Sequence, residues 1–206
     1  MIWIGTFLSG LVSYDLNSGK LTNHDSEPFQ KFELQNGNIR KVIVDKDDNV
    51  WMGTRKGIYR YNQKKNEVVS FNAKIRDLSQ GVIADFIVFA LYEDSNNNIW
   101  VGTDGYGLFS YSAVEDAFTW HGKDSEIRNM SINSITQTYD GYFWLGTDNG
   151  LIRYDQTNEG FRVFESADGL LIKKINRSAF YTERNTLYLG TSEGINFFDF
   201  NNVPLN

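Results

Sequence analysis

The stretch Asn98-Ile99-Trp100-Val101-Gly102-Thr103, followed at once by Asp104-Gly105-Tyr106-Gly107 and Leu108-Phe109-Ser110-Tyr111, decides the fold because the chain repeats it. Its kernel, Trp-x-Gly-Thr, stands again at Trp3-Ile4-Gly5-Thr6, Trp51-Met52-Gly53-Thr54 and Trp144-Leu145-Gly146-Thr147. Tyrosine replaces tryptophan at Tyr188-Leu189-Gly190-Thr191. The steps between successive kernels are 48, 49, 44 and 44 residues. Self-similarity at that period marks a repeat protein in which each period is one supersecondary unit.

Outward from the kernel, each unit reads the same way. Val42 to Trp51, Leu91 to Trp100, Ile135 to Trp144 and Ala179 to Tyr188 share an apolar start, a polar turn and an apolar return. Asn, Asp and Gly tolerate turn dihedrals and the flanking residues suit pleated strands, so each segment predicts a hairpin. A second break follows the Trp strand (Arg55-Lys56-Gly57, Asp104 to Gly107, Asp148-Asn149-Gly150, Ser192-Glu193-Gly194), then a third strand, then an outer one such as Glu67 to Phe71 or Gly160 to Phe164. Four meandering antiparallel strands, apolar on both faces, describe a blade that packs between neighbours. The expected class is all-β, a β-propeller of four-stranded antiparallel blades. No segment shows a sustained helical period.

The units expected are a partial blade at 2–33 whose last strand is Phe29 to Phe32, blades at 37–72, 82–121 and 130–165, and a partial blade at 174–200. Met1-Ile2-Trp3 opens inside a Trp strand, and the first and last units carry the same two middle strands. The two ends therefore do not complete one blade. The expectation is an open arc of four to five blades from a larger, seven-bladed ring, and a chain that is part of a longer reading frame.

Composition narrows function. Among 206 residues, 20 are Lys or Arg and 26 Asp or Glu, a net charge of −6, against a nucleic-acid footprint or an anionic membrane surface. There is no cysteine and hence no thiolate metal site. His24 and His121 are isolated and read as surface or partly buried strand residues, since catalytic zinc needs three converging protein ligands. No cofactor and no metal are expected. No apolar run approaches the length of a membrane span. The tryptophans, at a fixed register of every unit, read as core rather than as sugar platforms.

The unit Asp94-x-x-Asn97-Asn98-Ile99-Trp100-Val101-Gly102-Thr103-Asp104-x-x-Gly107-Leu108-x-x-Tyr111 resembles the two-component regulator propeller repeat, and the likeness extends over essentially the whole chain. Ser166 to Leu170 is similar to that family's linker between blades, and Gly194 to Val203 to its last blade. The resemblance implies the extracytoplasmic sensor region of a Bacteroidetes-type hybrid histidine kinase. Such a region is periplasmic and homodimeric in the full-length protein, and is followed by an immunoglobulin-like module, a membrane helix, a kinase core and a response regulator. Thr138 and Thr182 stand where the repeat has an acid, and Tyr188 where it has Trp; these are scaffold positions.

Candidate binding residues lie where loops vary on a constant scaffold. The start of the inner strand and the loop between second and third strands open on one face. Counting back equally from each Trp makes Arg40, Phe89, Asn133 and Arg177 equivalent, near a channel mouth, with Arg55, Lys56, Asp104, Tyr106, Asp148, Asn149 and Glu193 in the matching loops. Of these, Arg40, Arg55, Asp104, Tyr106, Asn133, Asp148, Asn149 and Arg177 form the expected ligand-binding set. Forked donors, amides and a ring suit a polyhydroxylated or acidic oligosaccharide, or another small polar ligand. The leading expectation is a non-catalytic sensor segment with no membrane contact of its own. A propeller enzyme acting on glycans, glycosidase or lyase, and a protein-interaction scaffold are the alternatives; fold alone licenses no activity.

Overall fold

A computed structural model of the chain describes residues 1–164, 174–191 and 194–200. Their contacts gather them into two compact units, 1–101 with 110–120, and 102–109 with the residues from 121 onward.

In the first unit, strands β1 (Ile2–Gly5), β2 (Leu11–Tyr14) and β3 (Leu21–Asn23) form a three-stranded sheet in that order. Strands β4 (Ile39–Val44), β5 (Asn49–Thr54), β6 (Gly57–Asn62) and β7 (Glu67–Ser70) form a four-stranded antiparallel sheet, again in chain order. A short helix α1 (Asn72–Leu78) follows. The third sheet, through which the boundary between the units runs, holds β8 (Val88–Glu93), β9 (Ile99–Thr103), β10 (Leu108–Ser112) and β11 (Ala117–His121). The second unit continues with β12 (Ile132–Gln137), β13 (Phe143–Thr147), β14 (Gly150–Asp155) and β15 (Gly160–Phe164) in one sheet. Its last sheet is β16 (Ile175–Glu183), β17 (Thr186–Thr191) and β18 (Gly194–Asp199).

The kernel owes its composition to three local demands. The ring at its head is core: Trp51, Trp100 and Trp144 are at most 2% exposed. Its glycine is where the next inner strand comes closest. A Cβ on Gly5 would lie 2.7 Å from Ile39, on Gly53 2.5 Å from Val88, and on Gly146 2.8 Å from Ile175, so no larger residue fits without a shift. Its threonine closes the following loop, the hydroxyl donating to a carbonyl across the break: Thr54 to Gly57 at 3.0 Å, Thr103 to Gly107 at 2.8 Å, Thr147 to Gly150 at 2.8 Å and Thr191 to Gly194 at 2.9 Å. The hairpin turn ahead of the kernel needs one left-handed residue, supplied by Asp48 (φ 63), Asn97 (φ 66) or Gly141 (φ 87).

Two expectations are corrected. Phe29 to Phe32 is not a strand: the third strand of the first sheet is Leu21–Asn23, and Gln30–Phe32 and Leu34–Asn36 are 3-10 turns. Pro28 has no N–H to give a ladder, and Glu33 at φ 56 reverses the chain. The apolar residues of this segment instead fill the core: Phe29 and Leu34 are buried with Leu11, Ile39, Val50, Met52 and Tyr61. The chain also contains a helix where none was expected. α1 anchors itself through a single buried residue, Ile75, too little periodicity to register in sequence. The linker resemblance at Ser166 to Leu170 lies outside the described residues.

Candidate ligand-binding loops

The inner strands do not run evenly to their starts. In β4 the pairing skips from Ile39↔Thr54 to Lys41↔Gly53, and in β12 from Ile132↔Thr147 to Ser134↔Gly146. Arg40 and Asn133 are therefore the bulged residues of their strands, the position where an extra residue re-aims a side chain. Arg177 is not their counterpart. The last hairpin turns through two residues, with Glu183 opposite Thr186, and its irregularity spans everything between Ile175 and Phe180. An equal count from Tyr188 therefore lands inside a longer irregularity.

In the first unit the Arg40 guanidinium lies over the Phe89 ring at 5.6 Å. Arg55 and Lys56 occupy the exposed β5–β6 loop, which Asn72 holds in place: its Nδ2 donates to the Lys56 carbonyl at 2.7 Å and its Oδ1 accepts from the Ile58 N–H at 3.0 Å. Lys56 pairs with Glu33 at 2.7 Å. The ammonium beside it draws the Glu33 carboxyl below the usual range and the carboxylate draws Lys56 up, but both side chains are in solvent, where such pairs contribute little. These residues border a cleft of about 520 Å³ whose walls include Phe7, Leu8, Phe32, Gln35, Arg55 and Tyr59. Phe7 and Leu8 stand 66% and 73% exposed at its rim. The Gln35 Oε1 is buried and meets no donor among the described residues.

In the second unit Asp104 Oδ1 accepts from the Ser131 hydroxyl at 2.7 Å, and Tyr106 is half-buried in the same loop. Asn133, 1% exposed, donates through Nδ2 to Asp148 Oδ1 at 2.9 Å and to the Ile175 carbonyl at 3.0 Å. Lys174 reaches Asp148 at 3.2 Å. Burial pushes the Asp148 carboxyl up, but the Asn133 amide and the Lys174 and Arg177 cations outweigh it and hold the group below the ordinary carboxylate range. Asn149 is exposed, its N–H donating to Thr147 Oγ1 at 3.0 Å.

In the first unit Arg55 borders the cleft and Arg40 does not, whereas in the second some expected residues meet. Asn133, Asp148 and Arg177 share one electrostatic cluster, although Asn133 is a buried cross-link that positions Asp148 rather than an open donor. Glu193 lies outside the described residues. Sequence reasoning passed over Lys174, Gln35 and the Phe7-Leu8 pair; two large apolar residues directly after a Trp-x-Gly-Thr kernel were the available signal. His24 is half-buried, its Nε2 sharing a hydrogen bond of 3.0 Å with the Ser13 hydroxyl. His121 is buried at 7% exposure, deeper than expected, and shares one of 2.9 Å with Tyr154.

The model of the two-component regulator propeller family matches residues 33–56, 81–105 and 126–149, each a segment running from the approach to an inner strand through the kernel and into the loop after it. These three segments are similar to two-component regulator propeller repeats. The four-stranded sheets are propeller blades, and the fold is all-β apart from short helical turns and α1. The whole chain is 26% identical to histidine kinase P4 of Formosa agariphila over 210 residues, 15% of that protein's length. Two solved structures of an extracellular domain from B. thetaiotaomicron, described in one as a one-component and in the other as a hybrid two-component system, superpose with TM-scores of 0.78 and 0.75. Their identities are 27% and 26%, over 95% of this chain and 25% of theirs. The chain thus spans a quarter or less of the length of each of these three. Virginiamycin B lyase from Staphylococcus aureus, at 15% identity, TM-score 0.63 and coverage of 96% of this chain and 65% of that one, shares the fold alone. No helix among the described residues is long and apolar enough to cross a membrane.

Proposed function

We propose that the chain is a non-catalytic part of the periplasmic sensor region of a hybrid two-component histidine kinase, and that its loop face contributes to binding an oligosaccharide. The observation that carries this reading is the first-unit cleft, where Arg55, Tyr59 and the exposed Phe7 and Leu8 line one space of about 520 Å³. Pyranose rings present apolar faces and hydroxyl edges together, and such a wall answers both. In the second unit Arg177, Lys174 and the ionised Asp148 offer a second polar cluster, with Asp104, Tyr106 and Asn149 in neighbouring loops. Arg40 lies over the Phe89 ring in the first unit, outside the cleft's lining. A lowered Asp148 carboxyl does not suit a general acid, which needs its carboxyl pushed up.

Within the full-length homodimer the ligand acts by preferring one of two arrangements of the kinase, since only differential affinity can shift such an equilibrium. A glycan array probed with the full chain tests the proposal. Retention of neutral or uronic-acid oligosaccharides, weakened at least about tenfold by Arg55→Ala or Phe7→Ala, is the expected result. No retention of any glycan, or retention indifferent to both substitutions, sinks it. Product formation from a bound glycan would instead favour the enzyme reading.

A further inference from the structure

The hairpin turns lie at the other end of each blade from the candidate loops. In the first unit the β4–β5, β8–β9 and β10–β11 turns border a cavity of about 250 Å³ there. Arg55 follows β5 and Asp45 to Asp48 precede it, so the six residues of that strand separate this cavity from the larger cleft. Its deep wall is made by Trp51, Ile99 and Tyr111, all buried, together with Arg60, which stands opposite Trp51 in the ladder. The Arg60 guanidinium lies over the Trp51 ring at 5.6 Å and over the Phe71 ring at 5.4 Å. Its Nε is buried and meets no acceptor among the described residues. A buried donor left unpaired is costly, and a charged one more so. The rim is polar. Asp47 and Asn96 are exposed and give their turns a backbone N–H each, to Asp45 Oδ1 at 3.0 Å and to Asp94 Oδ1 at 2.9 Å, which leaves a carboxylate and an amide at the mouth. Glu93 ties the two sheets together, its Oε1 accepting from the Lys46 N–H at 3.2 Å.

We propose that this cavity binds one neutral monosaccharide, at a site separate from the loop-face cleft and independent of the sensor reading. Size sets the first limit. The volume falls short of the range of about 300 to 1,000 Å³ usual for drug-sized ligands, so it suits a single ring rather than an oligomer. Hydrogen-bonding capacity sets the second. Arg60 can only donate, the Asp47 and Glu93 carboxylates can only accept, and Asn96 does both. Sugar hydroxyls donate and accept at once, and neighbouring hydroxyls on one ring can answer a carboxylate and an amide together. Charge sets the third. Among the lining residues Asp45, Asp47 and Glu93 outnumber Lys46 and Arg60, which disfavours an anionic sugar, while the guanidinium on the deep wall repels a small cation.

The test titrates D-glucose, D-galactose, D-mannose and D-glucuronate separately into the full isotope-labelled chain and follows amide resonances by NMR. At least one neutral hexose is expected to give saturable shifts centred on residues 45–49 and 93–98. Asn96→Ala and Asp47→Ala should each weaken that hexose at least about threefold, and Arg60→Met, which keeps an apolar stem over Trp51, at least about tenfold. Phe7→Ala, in the other cleft, should leave it unchanged. Asn96 and Asp47 are exposed, so their variants decide the matter even if Arg60→Met fails to fold. No saturable shift with any neutral hexose, tighter binding of glucuronate, shifts centred on residues 54–57, or affinity indifferent to both rim substitutions overturns the proposal. Hexose binding here alongside a blank glycan array would overturn the loop-face reading alone.

Discussion

In the turn between β8 and β9, Asp94 accepts four hydrogen bonds: from the N–H groups of Asn96 and Asn98 at 2.9 and 2.8 Å, from Asn98 Nδ2 at 3.0 Å and from Trp100 Nε1 at 2.8 Å. Asp45 does the same for Asn49 and Trp51, the indole again at 2.8 Å. In the turn between β12 and β13 the residue is Thr138. Its one hydroxyl proton is within reach of both Asp140 and the Tyr142 carbonyl, and the buried Trp144 Nε1 meets no acceptor among the described residues. Trp144 is as deeply placed as its counterparts, so apolar packing sets the ring and the acid serves only its N–H. The last turn carries Thr182 with Tyr188, which has no indole to satisfy. Acid and indole thus belong together, and Thr138 with Trp144 is a mismatch rather than a neutral scaffold change.

The largest effect belongs to the satisfied turn. Asp94→Ala leaves two backbone donors of a tight turn and a buried indole N–H without acceptors, and is expected to cost about 3 to 5 kcal/mol in urea unfolding. Thr138→Ala removes one hydroxyl that serves only local groups, for about 1 kcal/mol. Equal costs for the two would break the comparison.

Acid acts through the buried histidine. Burial pulls the His121 imidazole down to about 4 in the native state, whereas in the unfolded chain it titrates near 6.5. A depressed folded value means the unfolded state takes up the proton first, so stability is intact above about pH 6.5 and falls until about pH 4. The loss there is about 3 kcal/mol by linkage. His24, half-buried, is lowered for the same reason and partly restored by Asp25. The midpoint of thermal melts should therefore fall between pH 7 and pH 4, and His121→Gln should flatten that dependence.

Much of the fold was legible because the kernel encodes geometry directly: a ring for the core, a glycine for close approach, a threonine to close the loop. The first unit's chain reversal was not, since Phe29 and Phe32 look like strand residues until Glu33 turns left-handed and Phe29 is seen packing on Tyr61 at 4.8 Å. The candidate loops could be located, but their wiring could not. Asn133 looked like an open amide, and its burial depends on the Ile175 carbonyl, 42 residues away. Arg177 was misaligned because a two-residue turn shortens the last hairpin, which counting from Tyr188 cannot reveal.

A sharper contrast comes from removing the indole nitrogen. Trp100→Phe and Trp144→Phe delete similar apolar volume, but only the first removes a hydrogen bond to a buried carboxylate, leaving Asp94 Oδ2 with Asn98 Nδ2 alone. The cost of Trp100→Phe should exceed that of Trp144→Phe by about 1 to 2 kcal/mol, measured as the difference in unfolding free energy at constant denaturant slope.

The smallest effect is a gain. Thr138→Asp combined with Asp140→Asn recreates the Asp94-Ser95-Asn96 arrangement in the fourth blade and avoids two carboxylates in one turn. The new carboxylate must shed water to enter a half-buried turn, and that cost offsets much of the indole and turn hydrogen bonds it gains, leaving about 1 kcal/mol of stabilisation. The double variant should also slow exchange of the Trp144 indole N–H, which a purely global stabilisation would not do selectively. If stability rises while that proton exchanges as before, the carboxylate is serving the turn alone, and Trp144 owes nothing to the residue at 138.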